Sequence, residues 1–289
     1  MYYTEKLIKN CSFDIIKDIL DLSLISIHEY KDRNLRYVRI LPSPGTTIIE
    51  EDQLEKKELD KDDEDYKYDE YDEYEMEDYK TFTHALIDDS VTKIEGTAFA
   101  CLNSLERIVI PNSVTEIESS AFCNNENLES IVLPNKLKEI DYYLFNECPN
   151  LESVTIPESV EIIGECAFAD CVNLKSITIP KNVKFINRCA FSNCQSLETI
   201  ILPDLIYKIS NLTFDNCINL KSIVIPDNVI SIGDYAFSCC TKLKSITLPN
   251  KLSFIGNKVF TNCSRLKAIE VPDSVVSIGK GNKKLAIKK

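Results

Sequence analysis

The chain has 289 residues, 44% of them apolar, which is enough for one extended repeat domain or two ordinary ones with a sizeable core. Its formal net charge is −13, and −12 of that falls between residues 50 and 80, where 17 Asp and Glu face 5 Lys. The remainder sums to nearly zero, which argues against nucleic acid as the main partner, because phosphate binding needs clustered Lys and Arg. No stretch approaches the ~18 apolar residues of a membrane span, so membrane insertion is not expected.

Residues 1–45 read as a small α/β element. Glu5, Asp14 and Asp18 interrupt the apolar residues of the first twenty, unlike the basic start and continuous apolar stretch of a secretory signal. An intracellular protein is therefore expected, with surface display as the alternative. Leu7, Ile8, Cys11, Ile15, Ile16, Ile19 and Leu20 recur near helical spacing and predict a helix around 4–20. Leu35 to Leu41 predicts a short strand, stopped by Pro42, Pro44 and Gly45. Two readings stay open for this element. It caps the apolar end of a repeat array, or it is a docking module. The stretch Phe13-Asp14-Ile15-Ile16-Lys17-Asp18-Ile19-Leu20 resembles part of an F-box-like helix pair, which would make the chain an adaptor.

Residues 46–80 alternate Asp and Glu with Tyr66, Tyr68, Tyr71, Tyr74 and Tyr79. Like-charge repulsion outweighs what five rings can bury, so an acidic disordered linker is expected. It is read as a solubilising tether, as a docking strip for a basic partner, or as a site of tyrosine modification. The spacing lacks the Gly turn and closing Glu of a calcium loop.

Residues 81–279 carry a strict period. Pro recurs at 111, 134, 157, 180, 203, 226, 249 and 272, and Phe at 99, 122, 145, 168, 191, 214, 237 and 260, every gap being 23. A fixed period of 20–29 residues predicts a leucine-rich repeat solenoid. In one unit, Ser176-Ile177-Thr178-Ile179 alternates and is rich in β-branched residues, predicting a short parallel strand that Pro180 ends. Val183 and Ile186 turn the chain inward. Ala190 and Phe191 fill the wider convex side, by irregular, short helical or second-strand segments. Cys194 is a small buried hydrophobe at the bend. Eight full turns begin at 88, 111, 134, 157, 180, 203, 226 and 249, and a truncated ninth at Pro272. The tail 280–289, with five Lys, reads as solvated.

Leu220, Ile223, Ile225, Pro226, Val229, Ile232, Gly233, Ala236, Phe237, Cys240 and Leu243 together resemble the unit of the BspA-like leucine-rich repeats. The resemblance covers about two thirds of the chain. It implies parallel strands on one face, no catalytic residues, and a protein-binding or adhesin role.

On the expected concave face, three rows run along the array. One is Glu106, Glu129, Glu152, Lys175, Glu198, Lys221, Lys244 and Lys267, acidic at one end and basic at the other. Beside it begins a row at Arg107, continued by Ser and Thr and ending at Ala268. The third includes Thr155, Thr178, Thr247 and Glu270. These are the candidate partner-binding residues, a charge gradient being suited to orienting a protein ligand. Few aromatic side chains stand on that face.

Catalytic chemistry is not expected. The two His, His28 and His84, lie in different regions and in no motif. Six of the twelve Cys fall at one repeat position, and the cysteines read as reduced core thiols, neither metal ligands nor a disulfide framework. Cys239 and Cys240 are expected to be one exposed and one buried thiol. No phosphate loop, cofactor site or metal site is assigned. The expected function is a non-catalytic protein–protein interaction scaffold. The alternatives are a surface adhesin and the F-box-like adaptor.

Overall fold

A computed structural model describes residues 24–32, 35–42, 84–87, 91–283 and 285–286. The expected helix around 4–20, the F-box-like stretch 13–20 and the acidic stretch 46–80 lie outside the described residues.

The strand expected at Leu35–Leu41 is present as β2 (Leu35–Pro42), antiparallel to β1 (Leu24–Asp32), which the periodicity did not signal. β2 pairs antiparallel with β3 (His84–Ile87), Ile40 standing opposite His84. β3 in turn pairs in parallel with Arg107–Val109, so the hairpin extends the sheet beyond the first turn of the array.

From there the chain winds as a succession of short segments, one turn every 23 residues, and each turn has three sides. The first side is a three-residue strand such as Ser176–Thr178, in which only the central Ile177 points inward. Adjacent turns align these strands in parallel with no slip, Ser176 against Thr199 and Thr178 against Ile201. β-branched residues suit this half-buried pleat. Pro180 follows where the ladder has ended, so its missing N–H is not needed. Its carbonyl accepts the N–H of Val183 at 3.1 Å and closes a turn, an arrangement that recurs from Val114 on Pro111 to Val275 on Pro272.

The second side is a two-residue strand, Phe185–Ile186 in this unit, paired in parallel with Ile162–Ile163. The third side, expected as irregular, helical or strand-like, contains no helix; there is none among the described residues. It is built instead from backbone of alternating hand. Cys166 (φ 54°) and Asp170 (φ 62°) are left-handed, and the same two positions are left-handed in all eight turns without a glycine at any of them. Each such residue costs roughly 1 kcal/mol in an L-chain. The return is a third ladder: the N–H groups of Cys166, Phe168 and Asp170 reach Arg188, Ala190 and Ser192 of the next turn at 2.9–3.0 Å. Backbone groups on this side therefore find partners without forming a helix.

Inside run columns of identical residues. The rings of Phe99, Phe122, Phe145, Phe168, Phe191, Phe214, Phe237 and Phe260 stack with centroids 5.4–5.8 Å apart and planes within 17° of parallel. Beside them the thiols of Cys148, Cys171, Cys194, Cys217, Cys240 and Cys263 each donate to the carbonyl of a Phe 26 residues earlier, at 3.0–3.2 Å. The expectation of core thiols holds for this column. Cys239 is half-buried, a milder exposure than expected for the partner of buried Cys240.

The two ends differ from the middle. In the second turn the cysteine column holds Asn125, fully buried, whose amide donates to Phe99 and Phe122 (both 2.8 Å) and whose oxygen accepts from the Leu102 N–H at 2.9 Å. At the far end Asn282 makes a similar set: it donates to Gly256 and Gly279 and accepts from the Val259 N–H at 2.8 Å. The ordered array does not stop at residue 279. Leu285–Ala286 pairs in parallel with Ile269–Glu270, so part of the segment expected as a solvated tail adds a further rung.

Candidate functional site

The winding converts position in the sequence into position along an axis, because each 23-residue turn advances by about one strand spacing, ~4.8 Å. A near-neutral total therefore conceals a polar object. Residues 91–179 hold 14 acidic against 5 basic side chains, and residues 180–283 hold 13 basic against 7 acidic. The acidic turns come first along the axis and the basic turns last.

The candidate residues proposed from sequence all lie on the first, main-strand side. Arg107, Thr155, Thr178, Thr247 and Glu270 occupy outward strand positions and are exposed. Glu129, Glu152, Lys175, Glu198, Lys221, Lys244 and Lys267 form an exposed row immediately before the strands, with Glu106 half-buried at its start. The middle of that row is internally neutralised. Lys175 bonds Glu152 at 2.9 Å and Lys221 bonds Glu198 at 2.6 Å, each across one turn. The ammonium of Lys221 holds the Glu198 carboxyl below its usual value. Such exposed pairs fix register more than they stabilise. Glu106 and Glu129 at one end, and Lys244 and Lys267 at the other, have no ion pair among the described residues.

Between the charged ends, the outward strand position carries Ile201 and Val224 in adjacent turns, 83% and 80% exposed. Other turns place Thr155, Thr178 and Thr247 there, so the fold does not require an apolar residue. The candidates taken from sequence in this row were Thr155, Thr178, Thr247 and Glu270, not these two.

A second feature escaped it altogether. On the second side, Phe185, Tyr207, Ile230 and Phe254 are 40–47% exposed, and the rings of Phe185 and Tyr207 meet edge-on at 6.0 Å. The equivalent positions in the first turns are polar: Lys93, Glu116 and Glu139 stand where Phe185 and Phe254 do. The signal was available as a departure from a polar column, yet an aromatic residue in an apolar repeat reads as core until the register is known. On this side too, turns are tied by ion pairs, Lys184 to Glu161 at 2.6 Å and Lys93 to Glu116 at 3.1 Å.

The third side bears a shallow groove that includes Glu126, Glu147, Asp170 and Asn150. Asn193 donates to the carboxylate of Asp170, and Asn216 donates to Asn193 at 2.6 Å, so the side-chain amides there are spent on a ladder between turns. Among the described residues, no group of three or more His, Cys, Asp or Glu is arranged to hold a metal ion. No helix among them is long and apolar enough to cross a membrane.

The sequence matches the profile of the BspA type Leucine rich repeat region in six copies, over residues 72–198 and 190–282. Among solved structures, a leucine-rich repeat protein from Bacteroides ovatus is similar at 30% identity and a TM-score of 0.63, over 69% of this chain and 62% of that one. The chain thus spans less than two thirds of that relative's length. The leucine-rich repeat protein of T. pallidum is similar at 27% identity and a TM-score of 0.55, over 64% of this chain and 84% of that one. No curated protein matches. The period of 23, the in-register parallel rungs and the profile match over most of the array agree: the chain belongs to the BspA-type leucine-rich repeat family.

Proposed function

We propose that this chain is a non-catalytic protein–protein interaction scaffold that receives a partner protein on its main-strand face. The observation that carries this reading is the pairing of unneutralised charge with exposed apolar surface on one continuous face. Ile201 and Val224 protrude from adjacent rungs, and Lys244 and Lys267 follow them along the same side without ion pairs among the described residues. Exposed apolar positions that the fold does not demand mark contact surfaces. Segregated charge orients a partner and raises its association rate. An acidic protein surface with apolar side chains at its centre is the complement of these turns.

Capture on the immobilised full chain tests the reading. A protein partner is expected to bind saturably, and the double variant Lys244→Glu/Lys267→Glu is expected to lose at least tenfold in affinity while keeping its circular dichroism spectrum. Absence of any saturable protein ligand, or affinity indifferent to both substitutions, would sink it. Deleting residues 1–45 separates a cap from a docking element: an unchanged set of captured proteins assigns them to capping, and a lost partner assigns them to docking. We place the scaffold inside the cell. Digestion of intact cells with an external protease tests that placement, cleavage of the chain favouring the surface adhesin.

A further inference from the structure

We infer that Cys166 and Cys189 are a redox modification site, a dithiol pair that exchanges with a small-molecule disulfide to form a reversible cross-link between two turns. The two residues hold the same position in consecutive turns and have nearly the same backbone, with φ 54° and 55°. Each lies two residues before a stacked ring, and Phe168 and Phe191 are 5.4 Å apart and within 1° of parallel. The Cys166 N–H donates to Arg188, the neighbour of Cys189, at 3.0 Å. Rungs at ~4.8 Å fall inside the Cα separation a disulfide accepts, about 4.4–6.8 Å. Each thiol is close enough to the other to perturb its ionisation.

Two comparisons single this pair out. The same column elsewhere holds Thr97, Ser120, Tyr143, Leu212, Tyr235 and Lys258, so no other adjacent turns bring two thiols together there. The buried column has cysteines in six consecutive turns, but every one is closed to solvent and committed to a Phe carbonyl. Cys189 is half-buried and open to a reagent, and Cys166 lies just beneath the surface beside it.

The exchange balances in two steps. The Cys189 thiolate attacks one sulfur of a glutathione-type disulfide, forming a mixed disulfide and releasing one glutathione thiolate. The Cys166 thiolate then attacks the Cys189 sulfur and releases the second. The two thiol protons end on the two released glutathiones, and the protein loses two hydrogens. Burial, then the adjoining Cys166, push the Cys189 thiol up to about 11, and Arg188 opposes them. Exchange therefore quickens as pH rises towards that value, since the thiolate is the nucleophile.

The test treats the full chain with oxidised glutathione near pH 8.5 and maps its peptides without reduction. The expected product joins the Cys166 and Cys189 peptides with loss of two hydrogens, and dithiothreitol reverses it. In Cys166→Ser, Cys189 is expected to end as the glutathione mixed disulfide instead. The inference is overturned if the folded wild-type chain leaves Cys189 free, retains glutathione on it, or joins it to any thiol other than Cys166.

Discussion

The thiol of Cys171 donates to the carbonyl oxygen of Phe145, 26 residues earlier, at 3.1 Å. The contact spans one whole turn plus three residues, and it repeats five more times along the array. It explains why a cysteine suits this bend. The side chain is small enough for a site with no solvent access, and its weak donor ties it to a buried carbonyl of the preceding turn, which in most turns also accepts a backbone N–H from within its own turn.

Asn125 takes the same place in the second turn and satisfies three backbone groups rather than one. Asn125→Ala is expected to lower stability by about 1–3 kcal/mol: the Phe122 carbonyl keeps the Cys148 thiol, while the Leu102 N–H loses its acceptor. Asn125→Cys should recover part of the loss by restoring the bond to Phe99. Urea denaturation of both variants checks the order.

Stability should fall at alkaline pH. Burial pushes the Cys148 thiol up to about 12, and it also raises Cys171, Cys194 and Cys240 well above their usual value. The folded state thus holds these protons more tightly than the unfolded chain, whose thiols ionise near ~8.5. Their contribution is complete below that pH and is lost as pH rises through about 12, at up to about 1.4 kcal/mol per pH unit for each thiol. Urea midpoints measured in reductant from pH 7 to 11 should decline, and less steeply in Cys148→Ala. A flat profile would contradict the assignment.

Two phenylalanines of the array should behave oppositely. Phe191 is fully buried in the ring stack, and Phe191→Ala is expected to cost about 3–5 kcal/mol. Phe254 is 40% exposed on the second side, and Phe254→Ser should change stability little. Thermal unfolding distinguishes them.

Gly233 tests the closeness of the turns. A Cβ there would sit 2.6 Å from the backbone nitrogen of Asn211 and 2.8 Å from the carbonyl carbon of Ser210. Backbone cannot yield as a flexible side-chain end can, so Gly233→Ala is expected to destabilise by about 1–3 kcal/mol, read as a lowered urea midpoint at unchanged slope.

The sequence by itself determined the number of turns, the strand in each, the residues that point inward and the identity of the two central columns. It could do so because register in a stacked coil is carried by a repeating covalent spacing: Pro111 to Pro272 and Phe99 to Phe260 count the turns directly. The row from Glu106 to Lys267 was legible for the same reason, as were its acidic and basic ends. Three things needed the tertiary structure. The first left-handed residue of each third side, Leu212 among them, carries no glycine to announce it, because its cost is met by bonds to the following turn; at the second, Asn124, Asp170, Asn193, Asn216 and Asn262 are types that tolerate that backbone. The exposure of Phe185 and Phe254 depends on which side of the coil their position faces, and apolar character alone points the wrong way. The juxtaposition of Cys166 and Cys189 comes from stacking consecutive turns, visible only once two residues 23 apart become neighbours in space.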